Sequence, residues 1–161
     1  MKRSSENRPL IGWREWIALP DLKIARIKVK VDTGARTSAL HAFNIRPFCR
    51  SRRDWVEFEV HPLQQNNTRI RKCACPALDY RWVKNSGGGR EKRYVIETVA
   101  QFDGQEWPIE VTLTDRDQMG FRMLLGRSAM QHRFIVDPGA SYVLQKPLRR
   151  AKSKHKQPRE R

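Results

Sequence analysis

Val29-Lys30-Val31-Asp32-Thr33-Gly34-Ala35 is the stretch from which the fold is read. Upstream of it, from Ile24 to Val31, apolar residues (Ile27, Val29, Val31) alternate with basic ones (Arg26, Lys28, Lys30). A period of two marks a strand with one buried face. The strand runs directly into Asp32, and Gly34 follows two residues on. Glycine tolerates the backbone angles of a sharp loop and leaves bare amides to point back at a carboxylate. Alone the signal is weak, because Asp and Gly share many ordinary turns.

A second stretch changes the weighing. Met123-Leu124-Leu125-Gly126-Arg127 is an apolar strand ending in Gly, then Arg, with one or two helical turns expected over Ser128 to Arg133. That is the other half of a barrel able to cradle the Asp32 loop. Working outward, strands are expected over Leu10–Leu19, Trp55–Val60, Thr68–Cys73, Tyr80–Val83, Tyr94–Phe102 and Glu106–Thr114, where β-branched and aromatic residues lie between turn signals. Asp103-Gly104 predicts a tight hairpin. Asp137-Pro138-Gly139 predicts a turn into a last strand, Ser141 to Gln145. Trp13, Trp16, Trp55, Trp82 and Trp107 sit in strand-like periods and are assigned to the core. The expected architecture is all-β: a small, closed or nearly closed barrel over residues 10–145, with one short helix after the Leu125-Gly126-Arg127 segment.

A carboxylate held in such a loop suits one chemistry in particular. Two of them facing each other across a water cannot both ionise at about 3 Å, so they share a proton. One then deprotonates the water while the other protonates a carbonyl, giving a tetrahedral intermediate without a covalent adduct. The chain carries one Asp-Thr-Gly and no second copy, since Leu113-Thr114-Asp115 lacks the following Gly. A homodimer would supply the second carboxylate, and Thr33 could hydrogen-bond to its twin across the two-fold axis.

Asp32-Thr33-Gly34-Ala35 followed by Leu124-Leu125-Gly126-Arg127 resembles the retropepsins, half-size aspartic proteases that work as homodimers. Ile11 to Trp16, Val31 to Ala42 and Met123 to Met130 are similar, more closely, to a bacterial branch associated with the glutamate ligase RimK and once labelled "ATP-dependent zinc proteases". The resemblance implies a retropepsin-like barrel with Asp32 catalytic, Thr33, Gly34 and Ala35 forming its loop, and Leu125, Gly126 and Arg127 supporting it. It also implies an acidic substrate, such as the glutamate-rich tails that this ligase adds to a small-subunit ribosomal protein. Arg36 is expected to bind it by charge-assisted hydrogen bonds. Viral retropepsins usually carry an acidic residue at the Arg36 position, paired with the Arg of the second motif. Here two arginines stand at those places, so Arg127 is expected to pair elsewhere, with Asp115, Asp117 or Asp137.

The old label fares poorly against these residues. No Gly-x-x-x-x-Gly-Lys-Ser/Thr stretch exists for ATP and no His-Glu-x-x-His for zinc. Cys49, Cys73, Cys75, His41 and His61 lack Cys-x-x-Cys spacing, and each reads as a buried or satisfied side chain. Neither cofactor nor metal is expected. Gly87-Gly88-Gly89 lies between two strand-like runs. It suits an ordinary exposed loop or a flap that opens for substrate and closes over it.

The 161 residues give room for one domain. No apolar run approaches the roughly 20 residues of a membrane span, and the charged N-terminus (1–9, expected flexible) has no secretory signal pattern. Three cysteines, an odd number, fit reduced thiols in a cytoplasm. Net charge is +16, of which the tail at 146–161 carries +7 and the rest +9. The tail alternates charge with Pro, Ser and Gln and is expected to be disordered, either solubilising or drawn to a polyanion. Arg46, Arg50, Arg52 and Arg53 lie near Trp55, so a non-catalytic module contacting RNA or the ribosome, or regulating the ligase, is the alternative.

Overall fold

The computed structural model describes residues 8–63, 66–85, 87–102, 104–115 and 120–145. Most of 1–9, all of the tail at 146–161, Asp103 and Asp117 therefore lie outside the described residues. Among those described, no helix is long and apolar enough to cross a membrane. The strands are β1 (Leu10–Leu19), β2 (Ile24–Asp32), β3 (Ser38–His41), β4 (Phe43–Arg50), β5 (Arg53–Val60), β6 (Arg71–Pro76), β7 (Asp79–Lys84), β8 (Arg90–Phe102), β9 (Gln105–Thr114), β10 (Met123–Gly126) and β11 (Ile135–Ser141). One helical turn, α1 (Arg127–Met130), follows β10. The protein is all-β, as its alternating patterns imply.

Eight strands pair in the order β11-β1-β2-β10-β3-β9-β8-β7, and a further pairing of Ala18 with Gln101 joins β1 back to β8. That contact closes β1, β2, β10, β3, β9 and β8 into a six-stranded barrel. Its interior is filled by Ile11, Ile17, Ile27, Val29, Leu40, Ile96, Val111 and Leu125, all buried. A separate sheet, β4-β5-β6, lays Val56, Phe58, Val60 and Cys73 onto the same core. Residues 90–94 of β8 pair with β7 but not with β9. The β7–β8 hairpin therefore projects beyond the barrel wall.

Four expectations need correction. Asp137-Pro138-Gly139 is not a turn but part of β11, and Val143–Gln145 is a single 3-10 turn rather than a strand. The register with β1 slips here, from Gly12 opposite Asp137 to Arg14 opposite Ser141. The turn residues thus form a bulge on an outermost strand, where proline's missing N–H costs nothing. Strands β3 and β4 went unforeseen. The Thr68–Cys73 strand sits further on, at Arg71–Pro76, because the Asn66 side chain accepts from Thr68 and Arg69 and holds 66–69 in a turn. Finally, of the five tryptophans only Trp107 is in the core. It stacks on Phe102, packs against Phe134 and donates to the Ala129 carbonyl at 3.1 Å, pinning α1. Trp13, Trp16 and Trp55 are half-buried under Arg14, Arg26 and Arg50, while Trp82 is exposed. A strand period places a ring on a face; it does not say whether that face is covered.

Candidate active site

β10 lies between β2 and β3, parallel to β2, with Gly126 directly opposite Asp32. That register brings the two sequence stretches together. At the end of β2, Asp32 Oδ1 accepts from the amides of Gly34 at 3.0 Å and Ala35 at 3.2 Å. Among the described residues Oδ2 has no donor. Gly34 does not adopt a left-handed backbone; what it supplies is space, since a Cβ there would stand 3.3 Å from Asp32 Oδ1. Thr33 and Gly34 are exposed and Asp32 is half-buried.

The support comes from the strand–helix junction. The Arg127 amide donates to the Ala35 carbonyl at 2.7 Å, and the amide and hydroxyl of Ser128 both donate to the Arg36 carbonyl. The Gly126 amide donates to the buried Ser38 hydroxyl at 2.9 Å, and Thr112 donates to the Ser38 carbonyl. Of the partners expected for Arg127, Asp117 lies outside the described residues; the guanidinium donates to the Thr33 carbonyl at 3.0 Å and meets no described carboxylate. Asp115 instead faces His41 at 3.5 Å, and Asp137 accepts from the Gly139 amide.

Asp32, Gly34, Ala35 and Arg36 border an open cleft of about 1660 Å³. Its far side is the β7–β8 hairpin, including Arg81, Val83 and Asn85. The hairpin tip is organised by Asn85, whose side-chain oxygen accepts from Gly87 and Gly89 while its carbonyl accepts from Gly88. Gly88 takes φ +85, a conformation open to glycine. The cleft cations divide into two groups. Arg81 meets Glu110 at 3.2 Å and Asp79 at 3.8 Å, and Arg93 pairs with Glu91, which also accepts from Thr114. Lys30 and Arg36 have no carboxylate partner among the described residues.

Ser38, inside the Val31–Ala42 stretch, has no role assigned from sequence, and Glu91, Arg93 and Glu110 carry no motif; the Ser38–Gly126 and Arg81–Glu110 contacts come from strand register. Glu15, inside the Ile11–Trp16 stretch, was given no role. It is fully buried, and its Oε1 accepts from the amides of Gly12 at 2.7 Å and Val143 at 2.9 Å, tying β1 to the chain after β11. Cys73 and Cys75 face inward from β6, and burial pushes both thiols up, Cys75 to about 11. Among the described residues no three metal-ligating side chains converge.

An Asp loop with amides on one carboxylate oxygen thus lies against a parallel strand that ends at Gly126, and faces a projecting hairpin across the cleft. Residues 10–147 match the RimB-like family, described as the retropepsin-like aspartic endopeptidase RimB, and the chain belongs to that family. Among solved structures, a Legionella pneumophila protein of unknown function superposes with a TM-score of 0.71 at 25% identity, over 85% of this chain and 98% of that one. A Shewanella pealeana protein named probable alpha-L-glutamate ligase is 51% identical over 87% of this chain. A Desulfotalea psychrophila protein of the same name is 47% identical over 85%. The chain spans only about 30% of the length of these ligase-named relatives.

Proposed function

We propose that this chain is an aspartic peptidase that works as a homodimer and hydrolyses peptide bonds in glutamate-rich segments. The observation that carries the reading is Asp32 itself, whose Oδ1 is held by two amides while Oδ2 is left for proton exchange. A second Asp32 from another copy would complete the dyad. Water between them attacks the scissile carbonyl while the protonated carboxyl donates to its oxygen; the departing amine then takes up a proton. The Gly87-Gly88-Gly89 tip would act as the flap that closes over the bound chain. The substrate class is supported by Lys30 and Arg36, which border the cleft with no carboxylate partner among the described residues. It is supported also by relatives in which a similar segment belongs to a longer chain named for a glutamate ligase.

The test is hydrolysis of a synthetic glutamate-tailed peptide by the full chain, followed by mass spectrometry. Asp32→Asn should abolish it, because the isosteric amide can neither accept nor share the proton. Equal turnover by the variant sinks the proposal. The relatives' names favour one second reading, a non-catalytic domain that docks on a ligase. It predicts no hydrolysis by either protein and ligase binding by both.

A further inference from the structure

We propose that the outer face of the β7–β8 hairpin is a platform for single-stranded nucleic acid, with bases stacking on Trp82 and on the Tyr80–Tyr94 pair while phosphates meet Lys84, Arg90 and Lys92. Residues opposed in an antiparallel pair share a face. Tyr80 opposes Tyr94, Trp82 opposes Lys92 and Lys84 opposes Arg90. That face is three rings and three cations with no carboxylate among the six.

The other face differs in kind. There Arg81 opposes Arg93 and Val83 opposes Glu91, and both arginines are neutralised by Asp79, Glu110 and Glu91. The compensated Arg81 and Arg93 border the cleft, as do Trp82 and Lys84, whereas Tyr80, Tyr94, Arg90 and Lys92 lie outside its lining. Asp54 is a carboxylate near the Tyr94 end; burial, Tyr80 and then Asp54 raise that hydroxyl above its ordinary value.

The rings are available. Trp82 is 58% exposed and Tyr80 47%. Tyr80 stacks on Tyr94 with centroids 4.2 Å apart, while Lys92 lies 4.7 Å from the Tyr80 ring and Arg90 5.8 Å from Trp82. Alternate residues on an antiparallel strand are about 6.8 Å apart, twice the 3.4 Å step of one nucleotide strand. Two bases drawn apart along an extended backbone therefore match Tyr80 and Trp82. Stacking on such rings with nearby cations is the usual basis of sequence-tolerant single-strand binding.

An acidic peptide fits less well. Carboxylates are best gripped by free arginine forks; this face has one arginine, set against a ring, and two point-charge lysines. The Phe48–Trp55–Arg50 group on β4–β5 is a weaker candidate too, because Glu57 and Glu59 share its sheet face and engage Lys72 and Asn44.

The test is fluorescence anisotropy of the full chain with a labelled single-stranded RNA of roughly a dozen nucleotides, between about 50 and 200 mM salt. Trp82→Ala should weaken binding by between about fivefold and a hundredfold. Lys84→Gln with Lys92→Gln should reduce the log–log salt slope by about 1.4, two phosphate contacts' worth. Asp32→Asn should bind as the wild type does, which separates this result from the peptidase reading. Tyr80→Ala removes a ring independently should Trp82→Ala fail to fold. Absence of binding at the lowest salt, or wild-type affinity and slope in these variants, overturns the proposal by placing any affinity elsewhere on the basic chain. So does a glutamate peptide that binds more tightly than RNA and is lost with the same substitutions.

Discussion

Gly126→Ala is the substitution to which the Asp32 site is most exposed. The backbone at Gly126 is extended, with φ −83 and ψ 167, so alanine meets no conformational penalty there. The obstacle is space. A Cβ would stand 2.5 Å from the Thr37 carbonyl carbon, 2.7 Å from the Ser38 nitrogen and 2.8 Å from the Thr37 oxygen. All three are backbone atoms, so no rotamer change relieves the clash. Ordinary contact begins near 3.4 Å, so β10 and residues 37–38 must part by about 0.9 Å, the difference between 3.4 and 2.5. That movement stretches the Gly126–Ser38 and Arg127–Ala35 hydrogen bonds and shifts β10 against Asp32. Overpacking of this kind costs about 1–3 kcal/mol, and rigid neighbours place it in the upper half, about 2–3. With a urea m-value near 2 kcal/mol per molar, the midpoint should fall by roughly 1–1.5 M. Displacing a catalytic group by about 1 Å should lower kcat/KM by about a hundredfold. Urea unfolding at one fixed chain concentration measures the first, and hydrolysis of the glutamate-tailed peptide the second. A variant with an unmoved midpoint and unchanged turnover would refute the claim that close backbone approach at Gly126 sets the loop.

Three further outcomes are expected. Ser38→Ala leaves the buried Gly126 amide without its acceptor and should cost about 1–3 kcal/mol in the same urea titration; no loss would mean that the amide finds another partner. Iodoacetamide near neutral pH should modify the exposed Cys49 first and leave Cys73 and Cys75 slow, since burial raises both thiols; equal labelling of all three in native protein counts against this. Stability should be at its full value below about pH 9 and decline toward 11, because the unfolded chain releases the Cys75 proton near 9.0 while the folded one keeps it to about 11. Cys75→Ala should flatten that alkaline slope relative to the wild type, and an identical slope would argue against it.

What the sequence made legible follows the physics of its signals. β1, β2 and β9 have long stretches with one wet and one dry face, and their limits were read nearly to the residue. β4 was hidden because each local cue points the other way. It contains Pro47, Asn44 has φ +48, and its hairpin to β5 turns on Ser51-Arg52, both in left-handed geometry usually given to Asn-Gly. Pro47 is tolerated because β4 is an edge strand. The Asp32 loop and its Gly126 cradle were legible because amide donors and close packing demand particular residues. The Arg127–Thr33 contact was not, since a carbonyl acceptor is present at every residue and leaves no trace in the sequence. Nor was the Arg81–Glu110 pair, which depends on how β7, β8 and β9 register.

In the proposed peptidase, Arg36 at the cleft and Arg127 on the Thr33 carbonyl would both add to the field that a substrate meets. A guanidinium that donates to a carbonyl keeps its full charge, so Arg127 is positioned without being neutralised. Arg36 likewise has no carboxylate partner among the described residues, and Lys30 borders the same cleft. Asp32 offers one negative charge to this group, and in a working dyad two such charges would share a proton. In the proposed dimer both copies would contribute these cations, leaving the site net positive even after the dyad is counted. A neutral peptide has nothing to set against that field, whereas each glutamate side chain entering the cleft relieves it. Lengthening a test peptide's glutamate tail from one residue to several should therefore lower KM progressively, an effect that salt weakens. Arg36→Gln should remove most of the gain while leaving hydrolysis of the shortest tail nearly unchanged. A KM indifferent to tail length, or equally sensitive to it in the variant, would show that the cleft cations do not select the substrate.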